Sequence, residues 1–386
     1  MTELVRQEIM TAADLVVVKV GTRVLTHADG TLDDDRVASI SGQLARLWQA
    51  GRRVVLVSSG AVGAGLGRLG LERRPTGVAQ LQAAAAIGQS LLIESYNRAL
   101  EPYQLHAAQV LLTAEDLQQR TRYLNVRNTL FALFQCGAVP IINENDTVSV
   151  DELQRSFGDN DRLAALVTNL IRAPLLVLLS DIDGLYDESY SGEPSDPKSK
   201  IISVVTDIDA ASQCTIRDRA GQDTVHLGTG GMTSKLQAAR IATSAGENVV
   251  IANGRDDDVL DKILSGDDVG TLILAEGRSI DSRRRWIGWS ANAHGKLMLD
   301  AGARSAIESS GRSLLAVGVT AVEGRFSKGD VVAICDASGQ EFARGLINYS
   351  ADEMQSIAGE STERIAQLLG HCPYQEVVHR NNLVVL

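Results

Sequence analysis

Leu15-Val16-Val17-Val18-Lys19-Val20-Gly21-Thr22 is a β-branched run interrupted by one lysine and closed by Gly-Thr. A strand with one wet face alternates apolar and polar residues, so a near-continuous apolar run predicts a strand covered on both faces. Similar runs follow at Val54 to Val57, Leu105 to Val110, Val139 to Ile142, Leu175 to Leu179, Val249 to Ile251 and Thr271 to Leu274. Between most of them, Asp33 to Ala50, Val78 to Leu100, Arg120 to Cys136, Asp159 to Ile171 and Met232 to Ala245 have helical spacing or high Ala and Leu content. This alternation predicts a three-layer α/β/α sandwich with a mainly parallel sheet.

The alternation stops near Leu274, and Glu276 to Arg285 reads as a polar, Arg-rich connector. Beyond it the runs are short, at Leu314 to Val322, Val331 to Cys335 and Glu341 to Ile347, with Gly-rich turns between them. The expected division is one domain over residues 1–275 and a small mixed β domain over residues 283–386. Tyr186 to Lys200, rich in Ser, Pro, Asp and Gly, reads instead as an exposed excursion, because strand and helix patterns resume after it.

Charge supports the division. The chain of 386 residues carries a net charge of −11, yet from Ser282 onward 11 Lys plus Arg balance 11 Asp plus Glu, so the acidic excess lies wholly upstream. An acidic chain is poorly suited to nonspecific duplex or membrane binding, which clustered Lys and Arg drive. Cys136, Cys214, Cys335 and Cys372 lie far apart without Cys-x-x-Cys spacing, which predicts buried free thiols rather than a zinc site or disulfide framework. The first 13 residues mix Glu, Arg and Gln among apolar residues, and no run approaches a membrane span, so a cytoplasmic location is expected.

The chemistry gathers where the predicted strands end, the usual ligand edge of an open α/β sheet. Lys19 sits in an apolar strand, where a lysine is costly unless it is paired, reaches a ligand or is turned outward by the pleat. The Gly21-Thr22 that follows favours a ligand, with Gly21 allowing a phosphate near the backbone. Ser58-Ser59-Gly60-Ala61 follows the second run, and Asn143-Glu144-Asn145-Asp146 the fourth; Gly158-Asp159-Asn160-Asp161 opens a helix. So many donors and acceptors exceed what a turn needs and suit a small zwitterion.

Gly228-Thr229-Gly230-Gly231-Met232-Thr233-Ser234-Lys235 runs from a flexible turn into a helix. Taken alone, it is either a phosphate cradle or an ordinary Gly-rich loop capped by Thr233 or Ser234. Gly65-Leu66-Gly67-Arg68-Leu69-Gly70 matches G-x-G-x-x-G, but it starts several residues after its strand and has no acid about 20 residues on, so a dinucleotide site is not expected. No G-x-x-x-x-G-K-[ST] occurs, which excludes a P-loop. Two lysines, a phosphate loop and a polyfunctional pocket together suggest phosphoryl transfer. A carboxylate acceptor needs no general base, being already ionised at neutral pH.

The ordered set VVVKVGT (16–22), SSGAV (58–62), VPIINENDTV (139–148), GDND (158–161), SDIDGLY (180–186) and GTGGMTSK (228–235) resembles the glutamate-phosphorylating members of the amino acid kinase family, in the form with a C-terminal PUA domain. The resemblance covers nearly the whole length. It implies transfer of phosphate from ATP to L-glutamate, giving γ-glutamyl phosphate, the first committed step towards proline. It further implies that Lys19 and Lys235 flank the transferring group, with Asp161 holding both. Ser59, Asp146 and Asn160 would bind glutamate. Lys19, Gly21, Ser180, Asp181, Thr229, Gly230, Gly231, Met232, Thr233, Ser234 and Lys235 would bind ATP, with Mg2+ bridging its phosphates and no protein metal site.

The family also implies proline as inhibitor, a homodimer or homotetramer, and transient contact with the reductase that consumes γ-glutamyl phosphate. Asp151 to Phe157, DELQRSF, departs from the family pattern, and proline sensitivity is what that departure touches. PUA domains are best known for binding RNA, but the balanced charge of this tail lacks a basic footprint, so a structural or regulatory module is the favoured reading.

Overall fold

The computed structural model describes residues 2–27, 29–71, 75–148, 159–186, 201–208, 231–275, 282–370 and 374–386. The chain forms two compact units: Met1–Asp116 with Leu124–Ser279, and Leu117–Tyr123 with Ile280–Leu386.

The first unit is built on β1 (Leu15–Val20), β2 (Arg53–Ser58), β3 (His106–Leu112), β4 (Ala138–Glu144), β5 (Leu175–Ser180), β6 (Val204–Val205), β7 (Asn248–Asn253) and β8 (Thr271–Ile273). They form one eight-stranded sheet in the order β3-β4-β2-β1-β5-β7-β8-β6. From β3 across to β7 every pairing is parallel; β8 runs antiparallel to β7, and β6 is parallel to β8. The apolar runs of the sequence supply these strands, apart from the two-residue β6, which is too short to leave a periodic signal.

The pleat sorts β1. Val16, Val18 and Val20 enter a core with Leu56, Ile141, Val177 and Leu179, closed by Val37, Ile40 and Leu44 of the helix Asp34–Gln49 and by Leu92 and Tyr96 of the helix Val78–Leu100. Lys19 points to the other face, over which lies the helix Asp159–Ile171. The helices Ala61–Arg68 and Val78–Leu100 touch backbone to backbone: a Cβ at Gly65 would fall 1.8 Å from Ala84 O, and one at Gly88 1.8 Å from Ala61 O. Gly65 of the G-x-G-x-x-G match is therefore a close-packing residue.

Arg6, in the helix Thr2–Ala12, is buried and donates to Ser203 O (2.7 Å), Val269 O (2.9 Å) and Gly270 O (3.2 Å), tying that helix to the far end of the sheet. No described helix is long and apolar enough to cross a membrane.

The second unit contains β9 (Gly295–Leu299), β10 (Val319–Gly324), β11 (Val331–Cys335), β12 (Glu341–Leu346) and β13 (Leu383–Val385), ordered β10-β9-β11-β12-β13. Only the β9/β11 pairing is parallel. The helices Ala301–Ser310, Ala351–Ile357 and Thr362–Leu369 lie in the same unit. Leu314 to Val322 is not one strand. Leu314 bridges Val378, a 3-10 turn covers Ala316–Gly318, and β10 begins after it. The chain passes close to the helix Ala301–Ser310 there, since a Cβ on Gly318 would lie 2.4 Å from that of Ala303. The connector's last residues form the helix Ser282–Arg285 instead of irregular chain.

Cys335 is buried as expected, but Cys136 is exposed, because it lies just beyond the helix Arg120–Gln135. Cys214, Cys372 and residues 187–200 of the expected excursion lie outside the described residues.

Candidate active site

Because β1, β2, β4 and β5 are parallel, their C-terminal ends share one edge of the sheet. β1 lies between β2 and β5. The chain leaves β1 for β2 on one side and β5 for β7 on the other, and such a divergence opens a crevice at the strand ends. Lys19, Ser59, Asn143 and Ser180 all come from this edge.

The centre is Asp161, 1% exposed, in the first turn of the helix Asp159–Ile171. Lys19 Nζ stands 2.6 Å from Asp161 Oδ1 and Lys235 Nζ 3.3 Å from Oδ2. Ser234 Oγ donates to Oδ2 at 2.8 Å, and Lys235 also donates to Gly231 O at 2.9 Å. Lys235 lies in the first turn of the helix Met232–Ser244, which packs against Asp159–Ile171, so two helix N-termini and two ammonium groups surround one carboxylate.

Burial alone would raise the Asp161 carboxyl, but the charges of Lys19 and Lys235, with hydrogen bonds from Lys19 and Ser234, hold it below the ordinary carboxylate range. Burial lowers Lys235, and Lys19 adds to that effect while Asp161 opposes it. Two cations against one anion leave this buried cluster with net positive charge. That is the donor set a phosphoryl group requires.

Beside it lies a chain of amides. Asn160 Nδ2 donates to Ser59 Oγ (3.0 Å) and Asn143 Oδ1 (3.1 Å), and Asn143 Nδ2 donates to Gln89 Oε1 (2.7 Å). Glu144 N–H also donates to Asn143 Oδ1, at 2.9 Å. Ser58 Oγ hydrogen-bonds buried Tyr96 Oη at 2.9 Å, and Gly60, at φ +100, turns the chain into the helix Ala61–Arg68. Asp146 is buried next in sequence to this group.

On the other side of β1, Ser180 Oγ donates to Asp181 Oδ1 (3.1 Å), and Arg23 ion-pairs Asp181 Oδ2 (3.0 Å). Burial raises the Asp181 carboxyl, but Arg23 and further hydrogen bonds outweigh it and leave it lowered. Gly21 N–H donates to Leu179 O at 3.1 Å, so what this glycine can offer a ligand is room rather than a free donor.

The helix begins at Met232 with Gly231 at the cap position, so no side chain caps it, and the Ser234 hydroxyl one turn in is directed to Asp161. Met232 is buried, Gly231 and Thr233 are exposed, and Thr229, Gly230 and residues 151–157 lie outside the described residues. Among those described, no cluster of three or more His, Cys, Asp or Glu could hold a metal ion.

The structure thus brings together Lys19, Asp161, Ser234 and Lys235, and separately Ser59 and Asn160. Gln89, Tyr96 and Arg23 were not legible as site residues. Gln89 stands in an Ala-rich helix with no motif around it, and only the helix crossing at Gly65 and Gly88 turns it to Asn143.

Residues 14–253 match the amino acid kinase family, and residues 295–369 match the PUA domain. The chain is 48% identical to the glutamate 5-kinase of Rhodopirellula baltica over 99% of this chain and 96% of that protein. It is 46% identical to the glutamate 5-kinase of Thermoanaerobacter pseudethanolicus, over 96% and 97% respectively. With the glutamate 5-kinase of Syntrophotalea carbinolica it shares 43% identity over 98% and 99%. Among solved structures it is similar to the UMP kinase of Bacillus anthracis at a TM-score of 0.44 and 13% identity, over 68% of this chain and 97% of that one.

Proposed function

The chain belongs to the amino acid kinase family, and we propose that it transfers the γ-phosphoryl group of ATP to the γ-carboxylate of L-glutamate, the first step towards proline. The observation that carries this reading is the buried Lys19–Asp161–Lys235 cluster, with its excess of positive charge. A γ-carboxylate oxygen forms the new bond to phosphorus while the bond from phosphorus to the β–γ bridging oxygen breaks, and ADP leaves with that electron pair. No base is required, because the acceptor is ionised at neutral pH.

Lys19 and Lys235 neutralise the oxygens of the transferring group, and Asp161 fixes both ammonium groups before it arrives. Ser59, Asn160 and Asp146 take the amino-acid end of glutamate. Gly21, Ser180, Asp181 and residues 229–235 take the nucleotide, and the buried positive cluster beside Gly21 fits its polyphosphate. Mg2+, held by phosphate oxygens, would supply further cationic charge.

We assign residues 1–275 to catalysis and 283–386 to a PUA-like module with a structural or regulatory role. Proline inhibition, a homodimer or homotetramer, hand-over of the acyl phosphate to a reductase, and a cytoplasmic location belong to the same reading. The test is ADP release with glutamate, with hydroxylamine trapping γ-glutamyl phosphate as the hydroxamate, with and without proline. Without glutamate-dependent ADP and hydroxamate, the assignment is wrong.

A further inference from the structure

The amide chain has a direction, held at the oxygen end of Asn143 by a backbone N–H and at its nitrogen end by Gln89. Glu144 N–H can only donate, and its bond to Asn143 identifies the amide atom it meets as oxygen. Asn143 Nδ2 must then point the other way, where Gln89 Oε1 receives it at 2.7 Å. The same Asn143 oxygen accepts from Asn160 Nδ2, which forces the carbonyl end of Asn160 away from this contact. Asn160 Oδ1 is left buried with no hydrogen-bond donor, as is Gln89 Nε2 with no acceptor. Ser59 Oγ accepts from Asn160, so its own hydrogen remains free to donate.

We propose that Gln89 is a positioning residue for amino-acid recognition: by accepting from Asn143 it locks the amide chain so that Asn160 offers a carbonyl oxygen to the substrate's α-ammonium group. A buried acceptor without a donor is unfavourable, and an incoming ammonium N–H removes that cost. Gln89 touches no substrate in this scheme. It is 8% exposed and lies one residue from Gly88, whose backbone contact with Ala61 sets how far the helix Val78–Leu100 approaches the site. The inference rests on the glutamate reading above.

The test compares glutamate with glutarate, the same diacid without the ammonium group, used as a competitive inhibitor. Gln89→Met keeps length and removes the acceptor. KM for glutamate should rise about tenfold, the loss of roughly one hydrogen bond, with kcat and KM for ATP changed by less than about twofold. Ki for glutarate should not move. Gln89→Glu retains the accepting oxygen and should restore KM. If Gln89→Met does not fold, Gln89→Ser, which shortens the side chain out of reach, takes its place.

Equal rises for glutamate and glutarate would mean general loosening and would overturn the proposal, as would an unchanged KM or a Gln89→Glu enzyme as impaired as Gln89→Met. A wild-type protein inactive with glutamate would instead remove the reading beneath it.

Discussion

Lys19 Nζ stands 2.6 Å from Asp161 Oδ1, a contact between the middle of a parallel sheet and the first turn of a helix. The second oxygen of the same carboxylate faces Lys235 at 3.3 Å. One anion therefore sets the separation of two cations, and its removal must affect both folding and chemistry.

Asp161→Asn keeps the shape and removes the charge. Two buried ammonium groups then lose their counter-ion, which should cost about 3–5 kcal/mol. The checks are the urea midpoint of unfolding and kcat, which should fall at least about a hundredfold.

Lys235→Met should lower kcat at least about a hundredfold with KM for glutamate nearly unchanged, if, as proposed, this ammonium meets the phosphoryl group rather than the amino acid. Asp161 keeps Lys19 as its partner, so the loss of stability should be smaller than for Asp161→Asn. Steady-state kinetics and urea melts on the two variants check the contrast.

The pH profile follows from the same cluster. Burial lowers Lys235, so kcat should decline on an alkaline limb that begins below 10.5, the ordinary lysine value. Stability takes the opposite sign in that window: the folded chain releases this proton before the unfolded chain does, so stability rises with pH there. Asp161 acts at the acid end. Its folded value is depressed, so its contribution is present above 3.8 and is lost as pH falls through the lower folded value. A kcat–pH profile of Lys235→Arg should show the alkaline limb displaced upward, because guanidinium keeps its proton.

Gly88→Ala adds one methyl group where a Cβ would lie 1.8 Å from Ala61 O. The helices Ala61–Arg68 and Val78–Leu100 must separate, at a cost of about 1–3 kcal/mol. Because Gln89 moves with its helix, KM for glutamate should rise as well, which kinetics on the purified variant would show.

The sequence carried the sheet because burial on both faces leaves an unambiguous apolar run, as in Leu15–Val20. It carried Lys19 and Lys235 because a lysine in an apolar strand, or after a glycine turn, is an anomaly with few causes. Gln89 and Tyr96 left no such mark: a polar residue in a helix is commonplace until a crossing helix decides where it points. The short strands of the second unit blurred for a related reason, since the turn at Ala316–Gly318 answers to packing against Ala303.

The position of β1 between β2 and β5 also orders events in time. β1 and β2 are separated only by the short helix Thr22–Leu25 and the helix Asp34–Gln49, whereas β5 can join β1 only after a long loop closes, and contacts so distant in sequence form slowly. Lys19 meets Asp161 across that same long separation in sequence, so a refolding chain should regain its first strand pair before it regains turnover. Recovery of enzyme activity should therefore time a long-range step of assembly rather than the first strand pairing.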